Sequence, residues 1–143
     1  MKNDKETQGH FFPVTVFYED TDAAGVVYHA NYIKFMERAR TIFLQSKGLS
    51  LKHILEDFKV QFLVRSVSVK FEKPVKLEQN LTVVTKITKL GKASLVFSQN
   101  LYFNPLDSTT VVCIGEVLVV CTDLNFKPCS IPDEILRELK CEY

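Results

Sequence analysis

The feature that most restricts what this chain can fold into is "NYIKFMERARTIFLQSK", from about Asn31 to Lys47, which stops at Gly48. Glycine just past a periodic apolar run is a good helix stop. At ~1.5 Å per residue the segment makes a helix roughly 25 Å long, enough to cross a small domain. Its apolar residues Tyr32, Ile33, Phe35, Met36, Ala39, Ile42, Phe43 and Leu44 cover more than one stripe. A helix apolar over most of its circumference is usually surrounded by other structure. The rest of the chain has to supply that cover, and most of it reads as strand.

"FPVTVFYED", from Phe12, is rich in valine and aromatics, as a strand is. "VRSVSVKFEKP" alternates, with Val67, Val69 and Phe71 on one face and Ser66, Ser68 and Lys70 on the other. "NLTVVTKITKLGKASLVFSQNLYF" is two long strands joined by a turn at Gly91-Lys92. "TTVVCIGEVLVVCTD" is apolar on both faces, which predicts a central strand or one covered on both sides. "SLKHILEDF" fits a short helix capped by Ser50. In "SIPDEILRELK", Ser130 and Asp133 have capping-box-like spacing, with Pro132 in the first turn of a closing helix. The expected architecture is α+β, an antiparallel sheet curling around a central helix. Such a sheet keeps a face or edge to bury, so a homo-oligomer, dimer or tetramer, is expected.

A length of 143 residues predicts a single domain, here with residues 1–11 as a flexible tail. Eighteen basic and seventeen acidic residues nearly balance, which argues against a broad nucleic-acid-binding surface. No run approaches a membrane-spanning length, and "MKNDKETQGH" lacks the apolar core of a secretory signal. Cys113, Cys121, Cys129 and Cys141 form no C-x-x-C pair and read as free thiols in a reducing, cytoplasmic setting.

One stretch does not look like packing. "FYEDTDAAGVVYHANYIKF" sets Glu19, Asp20 and Asp22, a small-residue turn at Ala23-Ala24-Gly25, and His29 against the start of the long helix. The run from Tyr18 to Thr41 resembles the signature of hotdog-fold acyl-CoA thioesterases of the 4-hydroxybenzoyl-CoA thioesterase group, and more closely the branch associated with the bacterial Tol-Pal cluster. The likeness extends through "FLVRSVSVKFEKPVKLEQNLTV", "KASLVFSQ" and "GEVLVVCTD", covering Phe12 to about Pro132. It implies the hotdog fold, hydrolysis of acyl-CoA thioesters and no cofactor or metal. An acyl carrier protein thioester is a second plausible donor.

Thioester hydrolysis needs a group that attacks or activates water, and donors aimed at the carbonyl oxygen as charge develops on it. A carboxylate can do the first, and a helix start offers unpaired N–H groups and a positive dipole end for the second. Burial near Val26 and Val27 would raise the carboxylate's pKa and improve it as a base. In an extended strand Asp20 and Asp22 share a face, so alternation does not choose between them. The resemblance places the catalytic acid on Asp22, with Glu19 and Asp20 left as salt-bridging or solvated charges. The same resemblance marks His29, whose side chain could orient substrate or water, protonate the leaving thiolate, or cap the helix at Asn31. Tyr18 resembles a further site tyrosine of the family, and Gly25, Val27, Tyr28 and Arg65 join it as expected substrate-binding positions. Because acyl-CoA carries phosphates, Arg65, Lys70, Lys89 and Lys92 are the candidate phosphate contacts. His10 and His53 have no nearby partner in sequence. A metal held by Asp20, Asp22 and His29, a hydroxyacyl-thioester dehydratase, and a non-catalytic acyl-thioester-binding scaffold are the competing readings.

Overall fold

The computed structural model describes residues 9–141. Five strands form one antiparallel sheet in the order β1-β3-β4-β5-β2: β1 (His10–Thr15), β2 (Val60–Phe71), β3 (Asn80–Leu90), β4 (Ser94–Tyr102) and β5 (Val111–Asp123). Helix α1 (His29–Ser46) lies on that sheet, α2 (Leu51–His53) runs on into a π-helical turn ending at Phe58, and α3 (Asp133–Lys140) closes one end. The expected turn joins β3 to β4, with the Gly91 N–H donating to the Ser94 carbonyl at 2.8 Å.

The buried residues of α1 are Asn31, Tyr32, Phe35, Met36, Ala39, Arg40, Phe43 and Leu44. Adjacent pairs recurring every four residues make one face of a helix, not its whole circumference. Here the structure corrects the sequence reading. The sheet covers one side of α1, and Ile33 and Ile42 on the other side are 40% and 39% exposed. The first half of α1 packs Tyr32, Phe35, Met36 and Ala39 against Leu81, Val83, Leu101 and Val112. The second half packs Phe43 and Leu44 against Ile87, Phe97 and Val117, where Ile135 and Leu139 of α3 join. Each such side chain fully buried stabilises the fold by about 1.5–3 kcal/mol.

The helix packs onto Gly115 of β5 with no room for a side chain there. A Cβ there would stand 2.4 Å from Met36 Cε and 2.8 Å from the Gln99 carbonyl oxygen, so the residue has to lack one. Beside this point Gln99, fully buried, donates to the Met36 carbonyl at 2.8 Å and to Thr85 Oγ1 at 3.0 Å, and accepts from Arg40 Nη1 at 2.8 Å. The helix backbone is thereby hydrogen-bonded to the sheet as well as packed on it.

Other expectations shift in detail. Val67, Val69 and Phe71 pair with Val117, Gly115 and Cys113, so they do share the helix-bearing face. Yet β2 is an edge strand lying beyond the cover of α1, and Phe71 is 50% exposed. β5 is interior in the sheet but covered on one side alone: Cys113, Val117 and Cys121 are buried, and Ile114 faces out. The first strand ends at Thr15, and Tyr18–Asp20 is a 3-10 turn. Of the expected tail, His10 and Phe11 are paired in β1, and residues 1–8 lie outside the described residues. Ser50 caps α2, its Oγ accepting from the His53 N–H at 3.1 Å, whereas α3 starts after Pro132 with no side-chain cap. His53 pairs with Asp57 one turn on. All four cysteines are free, and Cys141 is exposed.

Gly115→Ala is expected to cost about 1–3 kcal/mol, the usual penalty for overfilling a packed site. Urea unfolding of the purified variant reads it as a lowered midpoint; a midpoint equal to the parent's would refute the close approach.

Candidate active site

The chain leaves β1 through Val16, fully buried, and makes its 3-10 turn at Tyr18–Asp20. Asp20, 3% exposed, is the polar centre of the loop that leads into α1. Its Oδ1 accepts from Asn31 Nδ2 at 2.7 Å, its Oδ2 from the Phe17 N–H at 2.9 Å, and its carbonyl from the Tyr28 N–H at 2.8 Å. A buried carboxylate is costly unless its oxygens are hydrogen-bonded, and here both are. The sequence reading placed Asp20 in solvent or a salt bridge; the structure makes it the tie between the loop and the first turn of α1. The available signal was the reach-back of an acid to the N–H three residues before it, as in a capping box. Reading the stretch as strand hid it.

Asp22 takes the opposite environment. Residues 22–26 close a tight loop in which the Asp22 N–H donates to the Val26 carbonyl and the Gly25 N–H to the Asp22 carbonyl, both at 2.9 Å. Gly25 sits at φ +78°, a left-handed conformation that favours glycine. Asp22 Oδ1 accepts from the Ala24 N–H at 2.9 Å, and the exposed carboxylate opens on a depression of about 450 Å³ bounded by Tyr18, Thr21, Ala23, Gly25 and Leu77. The burial beside Val26 and Val27 that the sequence reading invoked is not around this exposed carboxylate. Val27 instead turns into the core, 4% exposed, with its N–H on the Val75 carbonyl at 2.8 Å.

Helix α1 begins at His29, with Tyr28 as its N-cap residue and no side-chain cap. The Asn31 N–H is taken by the Tyr28 carbonyl at 2.8 Å and the Tyr28 N–H by Asp20. Among the described residues, the N–H groups of His29 and Ala30 keep no protein acceptor. These are orphan donors at the positive end of an 18-residue helix, which favour an oxygen bearing negative charge. The His29 imidazole is exposed and lies among rings, with centroids 4.5 Å from Tyr28 and 6.4 Å from Phe71, while Tyr32 stands 5.3 Å from Phe71. It caps nothing.

The structure gathers Tyr18, Asp22 and Gly25 around the depression, and Tyr28 and His29 at the helix start. It does not bring Arg65 there. Arg65 is the bulged residue of edge strand β2, between Val64 and Ser66, and six residues at ~3.3 Å put it about 20 Å from Phe71. Lys70 is paired with Glu72 at 3.3 Å. Burial pushes the Cys113 thiol up to about 12 and that of Cys121 likewise, the Cys129 contact adding to it, so neither supplies a thiolate nucleophile near neutral pH.

The family model described as the thioesterase-like superfamily matches residues 16–139. The chain belongs to that superfamily. It is 42% identical over 130 residues, 90% of this chain and 94% of the other, to a protein of Escherichia coli named acyl-CoA thioester hydrolase YbgC. Against the acyl-CoA thioesterase YbgC of Haemophilus influenzae it is 38% identical over 128 residues, 89% and 91% of the two chains. A probable thioesterase from Bartonella henselae superposes with a TM-score of 0.80 at 28% identity, covering 87% of this chain and 99% of that one. The superfamily's hotdog fold is therefore the architecture described above, and the D-x-D-x-x-G-x-V-Y-H stretch lies inside the matched span.

Asn31→Ala would leave the buried Asp20 carboxylate one partner short, at about 1–3 kcal/mol. Hydrogen exchange is expected to quicken across residues 17–31 while the β3–β4 hairpin stays protected; uniform protection in both segments would contradict the tie.

Proposed function

We propose that this chain hydrolyses acyl-CoA thioesters to the free acid and CoA thiol, with Asp22 as nucleophile or general base and the start of α1 polarising the thioester carbonyl. The observation that carries the reading is the placement of an open Asp22 carboxylate and two unpaired N–H donors at either end of one loop, in a chain so similar to proteins named acyl-CoA thioester hydrolase. As a base, Asp22 takes a proton from water while the water oxygen bonds to the carbonyl carbon. The carbonyl oxygen becomes an oxyanion held by the N–H groups of His29 and Ala30. Collapse breaks the C–S bond, and the thiolate leaves with a proton that His29 is suited to deliver. As a nucleophile, Asp22 bonds to the carbonyl carbon and expels the thiolate by breaking the C–S bond, leaving a mixed anhydride that water then opens.

A carboxylate this open to water gains strength as a base when covered. The exposed rings of Phe17, Tyr18 and Phe71, with edge strand β2, offer surface for a second copy of the chain to provide that cover, in a dimer or tetramer. Such an assembly is also the arrangement in which Arg65 could reach substrate. Among the described residues no helix is long and apolar enough to cross a membrane, and a cytoplasmic enzyme acting on acyl-CoA, or on acyl carrier protein thioesters, is the setting proposed.

Asp22→Asn is expected to lower kcat by about 10²–10⁴-fold with an unchanged melting temperature. The readout is thiol release from acyl-CoAs of varied chain length and from acyl carrier protein thioesters. Near-parental turnover in the variant would exclude Asp22 as the reacting group, and no release from any substrate by the parent would favour a binding scaffold. His29→Ala is expected to lose less than Asp22→Asn; an equal loss would promote its imidazole to principal acid or base.

A further inference from the structure

A second polar group is buried where the hydrolytic chemistry makes no use of it. Arg40 lies in the middle of α1, 9% exposed, and donates through Nη1 to Gln99 Oε1 at 2.8 Å. Among the described residues no carboxylate stands within ion-pair distance of it. Glu37, one turn earlier and exposed, instead accepts from its neighbour Thr41 Oγ1 at 3.0 Å. A buried arginine carries five donors and stays protonated near neutral pH. Burial lowers its pKa from the ordinary value, and the Glu37 charge pulls the other way without fully offsetting it.

Arg40 is one of the residues lining a cavity of about 120 Å³. Glu37, Arg40 and Thr41 form its polar side; Leu44, Leu51, Leu95, Phe97 and Val119 are among its apolar walls. An apolar cavity of roughly 150 Å³ holds a benzene ring, so this smaller one suits a short alkyl chain, or a ring that reaches out past the exposed Leu51 rim. Eleven residues at ~1.5 Å each place Arg40 about 16 Å from His29 along the helix, well away from Asp22.

We infer that this cavity is a binding site for a small apolar carboxylate, its tail against Leu95, Phe97 and Val119 and its carboxylate on Arg40. The match is of charge and shape together. A carboxylate gives the guanidinium the charge-assisted partner it lacks, and the planar fork accepts it in two parallel hydrogen bonds. A neutral ligand of the same shape would fill the walls and leave the cation unmatched. Two sources carry this chemistry: a free carboxylic acid, and an acyl group that bears a second carboxylate at its far end.

The test is a methyl-NMR titration of the full chain with benzoate and with benzyl alcohol, its neutral counterpart. Benzoate is expected to shift the methyl resonances of Leu44, Leu95 and Val119 in a saturable way, at least ten-fold more tightly than the alcohol. Arg40→Met should abolish that preference, and Leu51→Trp, a plug on the exposed rim, should weaken both probes. Should Arg40→Met fail to fold, the paired probes and the rim variant still decide. Equal affinities for the two probes in the parent, or binding untouched by Leu51→Trp, would overturn the site. A kinetic arm separates the sources: benzoate that raises KM for acyl-CoA places an acyl end in the cavity, and benzoate that binds without changing KM places a free acid there. Both of those outcomes retain the carboxylate site.

Discussion

The contact on which the rest depends is the seating of α1 on the sheet at Gly115. The Met36 side chain occupies the space a Cβ would take, and Gln99 holds the Met36 carbonyl from below. With that point fixed, one buried stripe sets the helix's rotation and depth over β1, β3 and β4. The two ends of the helix then acquire different work. Its start is delivered to the loop after β1, beside the end of β2, and its second half spans the cavity that Arg40 borders. A shift of the helix along the sheet would move both together.

The crowding of carboxylates before the helix resolves into unlike roles. Asp20 is buried and fully hydrogen-bonded, and its cost of burial is met by the N–H groups and the amide that define the loop's shape. Asp22, two residues later, spends one oxygen on an Asx-type turn and leaves the carboxylate open to the depression. The 3-10 turn is what separates them. In a strand they would have shared one face and one environment; here one organises and the other is exposed to chemistry. In the proposed mechanism Asp20 is thus a positioning residue, acting on substrate through the orientation it gives to Tyr28 and the start of α1.

Much of the fold was legible because it is periodic. The long helix, the β3–β4 turn at Gly91 and the Ser50 cap follow from spacing and turn chemistry, and the structure places them within a residue or two. What periodicity does not carry is cover. Ile33 and Ile42 count as apolar wherever the helix lies, so the sequence made α1 enclosed when the sheet reaches one side of it. The aromatic run Phe17-Tyr18 has strand-like composition, which masked a turn set by a side-chain hydrogen bond rather than by residue type. Arg65 lies far from the helix start because only the Phe71 end of β2 reaches it, and which end of a strand meets the helix is set by sheet topology, invisible in β2 alone. The importance of Asp22 came from likeness to a family, since neither alternation nor charge distinguishes it from Asp20.

The central claim is that the substrate carbonyl sits on the N–H groups at the start of α1, facing Asp22. An acyl-CoA analogue with a ketone in place of the thioester, titrated into the isotope-labelled protein, tests it most directly through the backbone amide resonances. The account predicts downfield shifts of the His29 and Ala30 amides, as expected for donors to an oxygen, with smaller changes through residues 22–25. Saturable binding that leaves residues 22–31 unmoved would contradict it.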